Sequence, residues 1–181
     1  VGANLESIKF AKKAIHLINK NIDNFHINHK DENVMSDILL GAHYSGKAIN
    51  ISKTTAPHAL SYSITSFFGI PHGHAVGMTL GEFFIINEQL ASMNAVNCRD
   101  LSLHMLQMKS LRELLGWGDC ISCNDKWKSI MKNLGLNMQI KLNDGQEGVV
   151  NRLADSVNTE RLSNNPVSLT RENIIKLYLN I

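Results

Sequence analysis

The chain has 181 residues, of which 44% are hydrophobic, and its formal net charge is +2. This length and apolar content suit one domain with a sizeable core and exclude an intrinsically disordered chain. No apolar run reaches the roughly 18–20 residues that a membrane span needs, and the scattered basic residues do not form a nucleic-acid footprint.

Helical periodicity dominates the sequence, because apolar residues recur three or four positions apart nearly everywhere. We find no alternating stretch that is long enough for a strand, no internal repeat and no low-complexity linker. The sequence therefore predicts an all-α fold, a helical bundle of about seven to nine helices. In chain order, the predicted helices cover residues 3–22, 34–49, 56–67, 74–90, 98–114, 124–134, 147–158 and 171–179.

The first two helices each carry an apolar stripe that we expect to face a neighbour. The first stripe consists of Leu5, Ile8, Ala11, Ile15, Ile18 and Ile22, and the second of Val34, Ile38, Leu39, Ala42 and Ile49. Gly41 and Gly46 in the second helix permit close approach of another helix or of a ligand. Later residues expected to point inward are Leu101, Met105, Met108, Leu111 and Leu114, followed by Trp127, Ile130 and Met131.

The joins between the later helices carry turn and cap signals. Residues 143–145, Asn-Asp-Gly, predict a turn. Pro166 stops any helix before it, because the residue that precedes a proline avoids the α conformation. Thr170 is the expected N-cap of the last helix.

Two histidines in residues 54–77 suggest a metal site. His58 and His72 lie fourteen residues apart, and His72 falls in a Gly-Ile-Pro-His-Gly turn at residues 69–73. Two imidazoles that face each other across a helix–turn–helix can bind one metal ion, but a four-coordinate site needs three protein ligands plus water, or four protein ligands. The alternative is that both histidines are structural and only hydrogen-bond to the backbone.

The same segment resembles the signature of the iron-containing (group III) alcohol dehydrogenases. His58-Ala59 and His72-Gly73 match the family pattern HA-(x)12-HG, and the resemblance extends to residues 3–22 and 153–178, the latter with an NP-x-x-LT-x-E-x-I pattern. It implies that residues 1–181 form a single helical, metal-binding, substrate-side domain. It also implies an N-terminal α/β domain that binds NAD(P) and is absent from this chain.

The resemblance further implies a chemistry. Fe(II) or Zn(II) would be held by His58 and His72 together with an upstream Asp and His, and NAD(P) would exchange hydride with a small alcohol or aldehyde. The sequence has no glycine-rich dinucleotide fingerprint, so its cofactor-binding residues are unknown, and we expect the chain alone to be inactive. A non-catalytic helical scaffold or dimerisation module with a vestigial metal site is the alternative function.

Several positions near the two histidines bear on the substrate. Many family members have a second histidine where this chain has Tyr62, and tyrosine side chains do not titrate near pH 7. His74 is a candidate replacement, although a histidine at the rim is the simpler interpretation, and His43 is a weaker pocket candidate. Residues 54–57 resemble a subgroup linked to phosphonate-aldehyde reduction, the phosphonoacetaldehyde-reductase-like proteins.

The three cysteines, Cys98, Cys120 and Cys123, indicate reduced thiols in a cytoplasmic protein, because their number is odd and no secretory feature accompanies them. Cys120 and Cys123 form a CxxC that is open to three interpretations: half of a zinc site, a redox pair, or two ordinary thiols near a helix start, which we favour. The expected partner is a small-molecule substrate, with no nucleic acid and no membrane. A homodimer is a further expectation.

Overall fold

The computed structural model of the protein describes residues 2–89, 97–98, 100–140 and 147–181. Ten helices lie in these residues, and no strand does. In chain order they are α1 (Leu5–Ile22), α2 (Phe25–Asn28), α3 (Glu32–Ser52), α4 (Ala56–Phe68), α5 (His72–Gln89), α6 (Leu101–Leu115), α7 (Cys120–Asn133), α8 (Glu147–Asp155), α9 (Thr159–Leu162) and α10 (Arg171–Leu179). The prediction of an all-α fold is thus confirmed.

The eight longer helices correspond to the eight predicted ones, while α2 and α9 are single turns, too short to show a period. Helix α7 begins four residues earlier than predicted, because the side chain of Asp119 caps it by accepting a hydrogen bond from Ser122 N at 2.8 Å. Residue 90 and the turn predicted at 143–145 lie outside the described residues. None of the described helices combines the length and hydropathy that a membrane-spanning helix needs.

Helices α1 and α3 pack against each other along their length. A Cβ added at Gly41 would lie only 2.7 Å from Cγ1 of Ile18, so glycine is needed for this close approach, as predicted. The prediction that the apolar stripes of α1 and α3 are buried is wrong in part. Leu5 is 88% exposed and Leu39 is 64% exposed, because each helix covers only one face of the other at this end of the bundle.

The main hydrophobic core lies between α4, α5, α8 and α10. Its fully buried side chains include Leu60, Ile64, Met78, Leu153 and Tyr178. Burying a side chain of this size contributes roughly 1.5–3 kcal/mol. The core therefore holds α4 and α5, the two helices that carry His58 and His72, in a fixed relation.

A smaller cluster joins α5, α6 and α7. Trp127 Nε1 donates a hydrogen bond to the carbonyl oxygen of Gly77 at 2.8 Å. The inward face of α6 differs from the prediction: Leu101 and Met105 are exposed, whereas His104 is buried with its Nε2 2.6 Å from the carbonyl oxygen of Asn87. Helix α6 turns a different face inward than predicted, because that hydrogen bond provides a partner for the buried His104 ring. The spacing of apolar residues cannot reveal such a bond.

Thr170 caps α10 as predicted. Its side chain accepts a hydrogen bond from Asn173 N, and the Asn173 side chain accepts one from Thr170 N at 3.0 Å, which completes a capping box. This cap fixes the start of the helix that brings Tyr178 into the core.

The buried phenol of Tyr178 should make the protein less stable at alkaline pH. Its hydroxyl donates to the carbonyl oxygen of Leu60 at 3.0 Å and lies 2.6 Å from Ser63 Oγ, and burial raises its pKa from the usual 10 to about 12. The unfolded chain loses the phenol proton near pH 10, before the folded chain does. The stabilisation that the protonated phenol gives to the folded state is therefore complete below about pH 10 and is lost as the pH rises through about 12. We expect the free energy of unfolding to fall by about 2–3 kcal/mol over this window.

Urea denaturation between pH 8 and pH 12 would measure this fall. The Tyr178→Phe variant should be less stable at neutral pH but should lack this part of the decline. Tyr62→Phe, which alters a tyrosine that is 46% exposed, is the matched control and should retain it. If the free energy of unfolding of Tyr178→Phe fell equally between pH 8 and pH 12, the decline could not be assigned to Tyr178.

Candidate metal centre

The start of α4 positions His58. Ala56 and Pro57 are buried in the first turn, where the missing N–H of proline costs no hydrogen bond, and Thr55 is the N-cap residue. His58 is half-buried, and its backbone N–H donates to Thr55 O at 3.1 Å. Burial lowers the pKa of His58, and the neighbouring His72 lowers it further, so the imidazole is neutral at pH 7 and retains a lone pair.

A short turn then brings His72 back towards His58. Helix α4 ends at Phe68 and is capped by Gly69, whose φ of 67° places it in the left-handed region that favours glycine. Helix α5 begins at His72, two residues earlier than predicted, because the carbonyl oxygen of Pro71 already accepts a helical hydrogen bond from Ala75 N at 2.9 Å. His72 is therefore on the first turn of α5 and is exposed.

The two imidazoles converge. Their ring centroids are 5.4 Å apart and their planes are inclined at 64°. Ser61 contacts the His58 backbone and the His72 ring: its Oγ donates to the carbonyl oxygen of His58 at 2.8 Å and lies 3.1 Å from Nδ1 of His72. A hydroxyl has one proton, so with that proton on His58 O the serine accepts from His72 Nδ1–H, which leaves Nε2 as the nitrogen with a lone pair.

This hydrogen bond is the kind of outer contact that orients a metal-binding histidine and fixes its tautomer. Ser61 is not among the residues predicted from the sequence. A local signal did exist, because a serine three residues after His58 is placed to bond back to the helix and to face the residue that follows the turn.

The imidazoles of His58 and His72 suit a divalent metal ion, but two ligands form only part of a metal site. Imidazole nitrogen suits Fe(II), Zn(II) and related ions. Within residues 2–89, 97–98, 100–140 and 147–181, no cluster of three or more His, Cys, Asp or Glu side chains could hold a metal ion. The described part of the chain therefore contributes two candidate ligands, His58 and His72.

Tyr62 and Arg161 adjoin this pair. The Tyr62 ring centroid is 5.1 Å from that of His72, and Arg161 Cζ lies 4.5 Å from the Tyr62 centroid. Both side chains line a pocket of about 790 Å³ that also includes Lys53. Tyr62 thus lines a pocket beside His72 together with two basic residues that the sequence did not single out, and its role in the reaction stays a prediction.

The other candidates lie elsewhere. The Nε2 of His74 is 2.6 Å from the carbonyl oxygen of Asn137, so this nitrogen donates to the backbone after α7. The role of His74 in the pocket stays a prediction. His43 is exposed on α3 with its ring against Tyr44, and its pocket role is likewise untested.

Cys120 and Cys123 occupy the first turn of α7 as buried thiols. Burial raises the pKa of the Cys123 thiol, which disfavours the thiolate that metal binding or redox exchange requires. This environment supports the interpretation of two ordinary thiols near a helix start.

Comparison with solved structures shows the same fold. The sulfoacetaldehyde reductase of Bifidobacterium kashiwanohense, solved with NAD+, superposes with a TM-score of 0.77 at 24% identity, covering 99% of this chain and 44% of that protein. The iron-containing alcohol dehydrogenase of Thermococcus thioreducens also gives a TM-score of 0.77, at 20% identity and the same coverage.

Curated relatives match over shorter stretches. The phosphonoacetaldehyde reductase of Streptomyces viridochromogenes is 34% identical over 95 residues, which are 52% of this chain and 23% of that protein. The probable mitochondrial hydroxyacid-oxoacid transhydrogenase of Dictyostelium discoideum is 33% identical over 89 residues, 41% of this chain and 16% of that protein. The chain thus matches less than a quarter of the length of either curated relative.

A profile of the C-terminal part of the Fe-containing alcohol dehydrogenase family matches residues 6–181, nearly the whole chain. The resemblance first seen in the histidine spacing therefore extends from α1 to the last residue. The chain belongs to the Fe-containing alcohol dehydrogenase family, of which it represents the C-terminal part.

Proposed function

We propose that this chain is the helical, substrate-side domain of an NAD(P)-dependent alcohol dehydrogenase or aldehyde reductase, and that His58 and His72 bind its catalytic Fe(II) or Zn(II). The observation that carries the proposal is the convergence of the two imidazoles, 5.4 Å apart, in a chain of this family. Bound metal would polarise the carbonyl of an aldehyde, and bound nicotinamide would supply hydride to it.

The residues of this chain have positioning roles in that proposal. Ser61 orients the His72 ring so that Nε2 is the nitrogen available to the metal. The buried first turn of α4 and the short turn before α5 hold the two rings at a fixed separation. Tyr62 stands beside His72 with its hydroxyl able to donate a hydrogen bond to a substrate.

A second candidate function is a non-catalytic helical scaffold or dimerisation module with a vestigial metal site. Two observations favour it: the described residues supply only two candidate ligands, and Leu39 and Ile49 expose apolar surface on α3. A homodimer is therefore also proposed. A cytoplasmic location is a further proposal, supported by the buried thiols of Cys120 and Cys123.

Cobalt titration tests the metal assignment. We expect Co(II) to bind this chain weakly and to be lost on dialysis, because four-ligand zinc sites gain on the order of 10–16 kcal/mol and half a site gains far less. His58→Ala or His72→Ala should abolish the visible bands of protein-bound Co(II), leaving only the weak spectrum of the hydrated ion. Ser61→Ala should weaken binding roughly tenfold, the lower end of the range for outer contacts.

The control is His43→Ala, which removes an exposed histidine from α3. A longer form of the protein, which adds the upstream Asp and His that the family resemblance implies, should bind Co(II) tightly. Unchanged affinity in His58→Ala and His72→Ala versions of that longer form would refute the assignment. Weak binding by the longer form itself would favour the scaffold.

A further inference from the structure

Besides the candidate ligand His58, two neighbours fix the direction of the exposed His72 ring. Ser61 Oγ is 3.1 Å from its Nδ1, and one hydrogen bond of this kind sets the tautomer but leaves the plane of the ring free to tilt. The other neighbour is the Tyr62 ring, whose centroid lies 5.1 Å from that of His72 with the two planes inclined at 34°. Because the terminal torsion of a histidine side chain is broad, a packed neighbouring ring is what restricts it.

Tyr62 needs support of its own, because 46% of this residue is exposed to solvent. The guanidinium of Arg161 supplies that support: its Cζ lies 4.5 Å from the centroid of the Tyr62 ring, within the range of a cation–π contact. Six ion pairs link charged side chains in the described part of the chain, and Arg161 takes part in none of them. No such pair therefore draws the guanidinium away from the ring.

Arg161 reaches α4 because α9 is tied to the segment that precedes α4. The side chain of Asn158 caps α9 by accepting a hydrogen bond from Arg161 N at 2.9 Å. Two residues after α9, the Asn164 amide donates to the carbonyl oxygen of Thr54 at 2.6 Å. The backbone that carries Arg161 is therefore held on both sides, and one of these attachments lies directly before the helix that bears the first candidate ligand.

We propose that Arg161 is a positioning residue for the candidate metal centre, and that it acts through Tyr62 on the direction of the His72 ring. Arg161 fixes the Tyr62 ring, and this ring in turn limits the tilt of the imidazole, so that Nε2 has one direction before any ion binds. Such pre-positioning matters because a metal ligand must be held within about 0.5 Å and 10–20° of its productive geometry. The metal-binding role of His72 rests on the proposed function, whereas the stack of side chains stands on its own contacts.

NMR of the metal-free chain tests the positioning directly. The Hα–Hβ couplings of His72, and the nuclear Overhauser effects from its ring to Ser61, report whether the side chain has one orientation or several. We expect one orientation in the unaltered chain and averaging in Arg161→Gln and Tyr62→Ala. Tyr62→Phe keeps the ring and should keep the orientation. Arg152→Gln, which changes an exposed arginine of α8, is the matched control and should have no effect.

Co(II) affinity gives a second readout, and its sign separates positioning from charge repulsion. Arg161→Gln should weaken Co(II) binding about two- to fivefold, which is the range of an exposed cation–π contact converted to an equilibrium constant. Charge repulsion alone would give the opposite sign, because removing a cation near a divalent ion favours binding. Tyr62→Ala should weaken binding about tenfold. Arg161→Gln should add nothing in the Tyr62→Ala background, because a double-mutant cycle detects action through a shared partner.

A Co(II) affinity that is unchanged or raised in Arg161→Gln would overturn the proposal, as would a single His72 orientation in Tyr62→Ala or additive effects in the double variant. Arg161→Lys keeps the charge but not the planar guanidinium, so its Co(II) affinity should fall between those of the unaltered chain and Arg161→Gln. The NMR readout needs no metal, so the two proposals fail separately. An unaltered chain with one His72 orientation that does not bind Co(II) would reject the metal assignment alone.

Discussion

Purified chain of residues 1–181 is expected to show no aldehyde reduction with NADH or NADPH, whichever metal is added. The described residues offer two candidate ligands, and the sequence contains no dinucleotide fingerprint. A longer form that includes the proposed nicotinamide-binding half should be active. In that form His72→Ala should lower kcat/KM on the order of a thousandfold, because Lewis-acid stabilisation is worth several kcal/mol and each 1.36 kcal/mol is tenfold in rate.

The decrease in NADH or NADPH absorbance with a panel of aldehydes measures this activity. His43→Ala in the longer form provides the control, since it removes an exposed histidine from α3 and should leave turnover unchanged. Turnover by the short chain that depends on His72 would show that the chain completes its own site. Full activity of His72→Ala in the longer form would remove this histidine from the catalytic centre.

Leu60→Ala is expected to lower the free energy of unfolding by about 2–5 kcal/mol. Leu60 is completely buried in the main core, so the substitution removes apolar contacts and leaves a cavity beneath the first turns of α4. Since α4 carries His58, the variant should also bind Co(II) more weakly than the parent at temperatures where it remains folded.

Chemical denaturation at neutral pH gives the measurement. Leu39→Ala is the matched control: it makes the same chemical change at a position that is 64% exposed, and should cost no more than about 0.5 kcal/mol. A loss for Leu60→Ala as small as that of Leu39→Ala would mean that α4 does not pack in the core as described.

Local sequence patterns were sufficient for the framework of the fold. All eight longer helices were anticipated, because apolar periodicity and cap chemistry such as that of Thr170 act within a few residues. The approximate meeting of His58 and His72 followed from similarly local features, namely a helix, a left-handed Gly69 and a proline before the next helix. Asp119 is also a local cap signal, and it places the start of α7 four residues before the predicted one.

Contacts between distant segments were beyond such reasoning. The orientation of α6 depends on the hydrogen bond between His104 and Asn87 of α5, and a prediction from apolar spacing places a histidine outside the stripe. Arg161 meets Tyr62 only after α9 folds back onto α4, so the pocket beside Tyr62 has no signature in either segment alone. The same is true of Leu39, whose exposure depends on how many neighbours α3 has.

The hydrogen bonds of Tyr178 impose an order on events during synthesis. This phenol, which reaches Ser63 and Leu60 in α4, is translated more than a hundred residues after them. A ribosome therefore exposes both candidate ligands long before the residue that secures α4, the helix of His58, has emerged. Stable metal loading should consequently follow the emergence of α10, and a nascent chain arrested before α10 should be a poor acceptor for the ion.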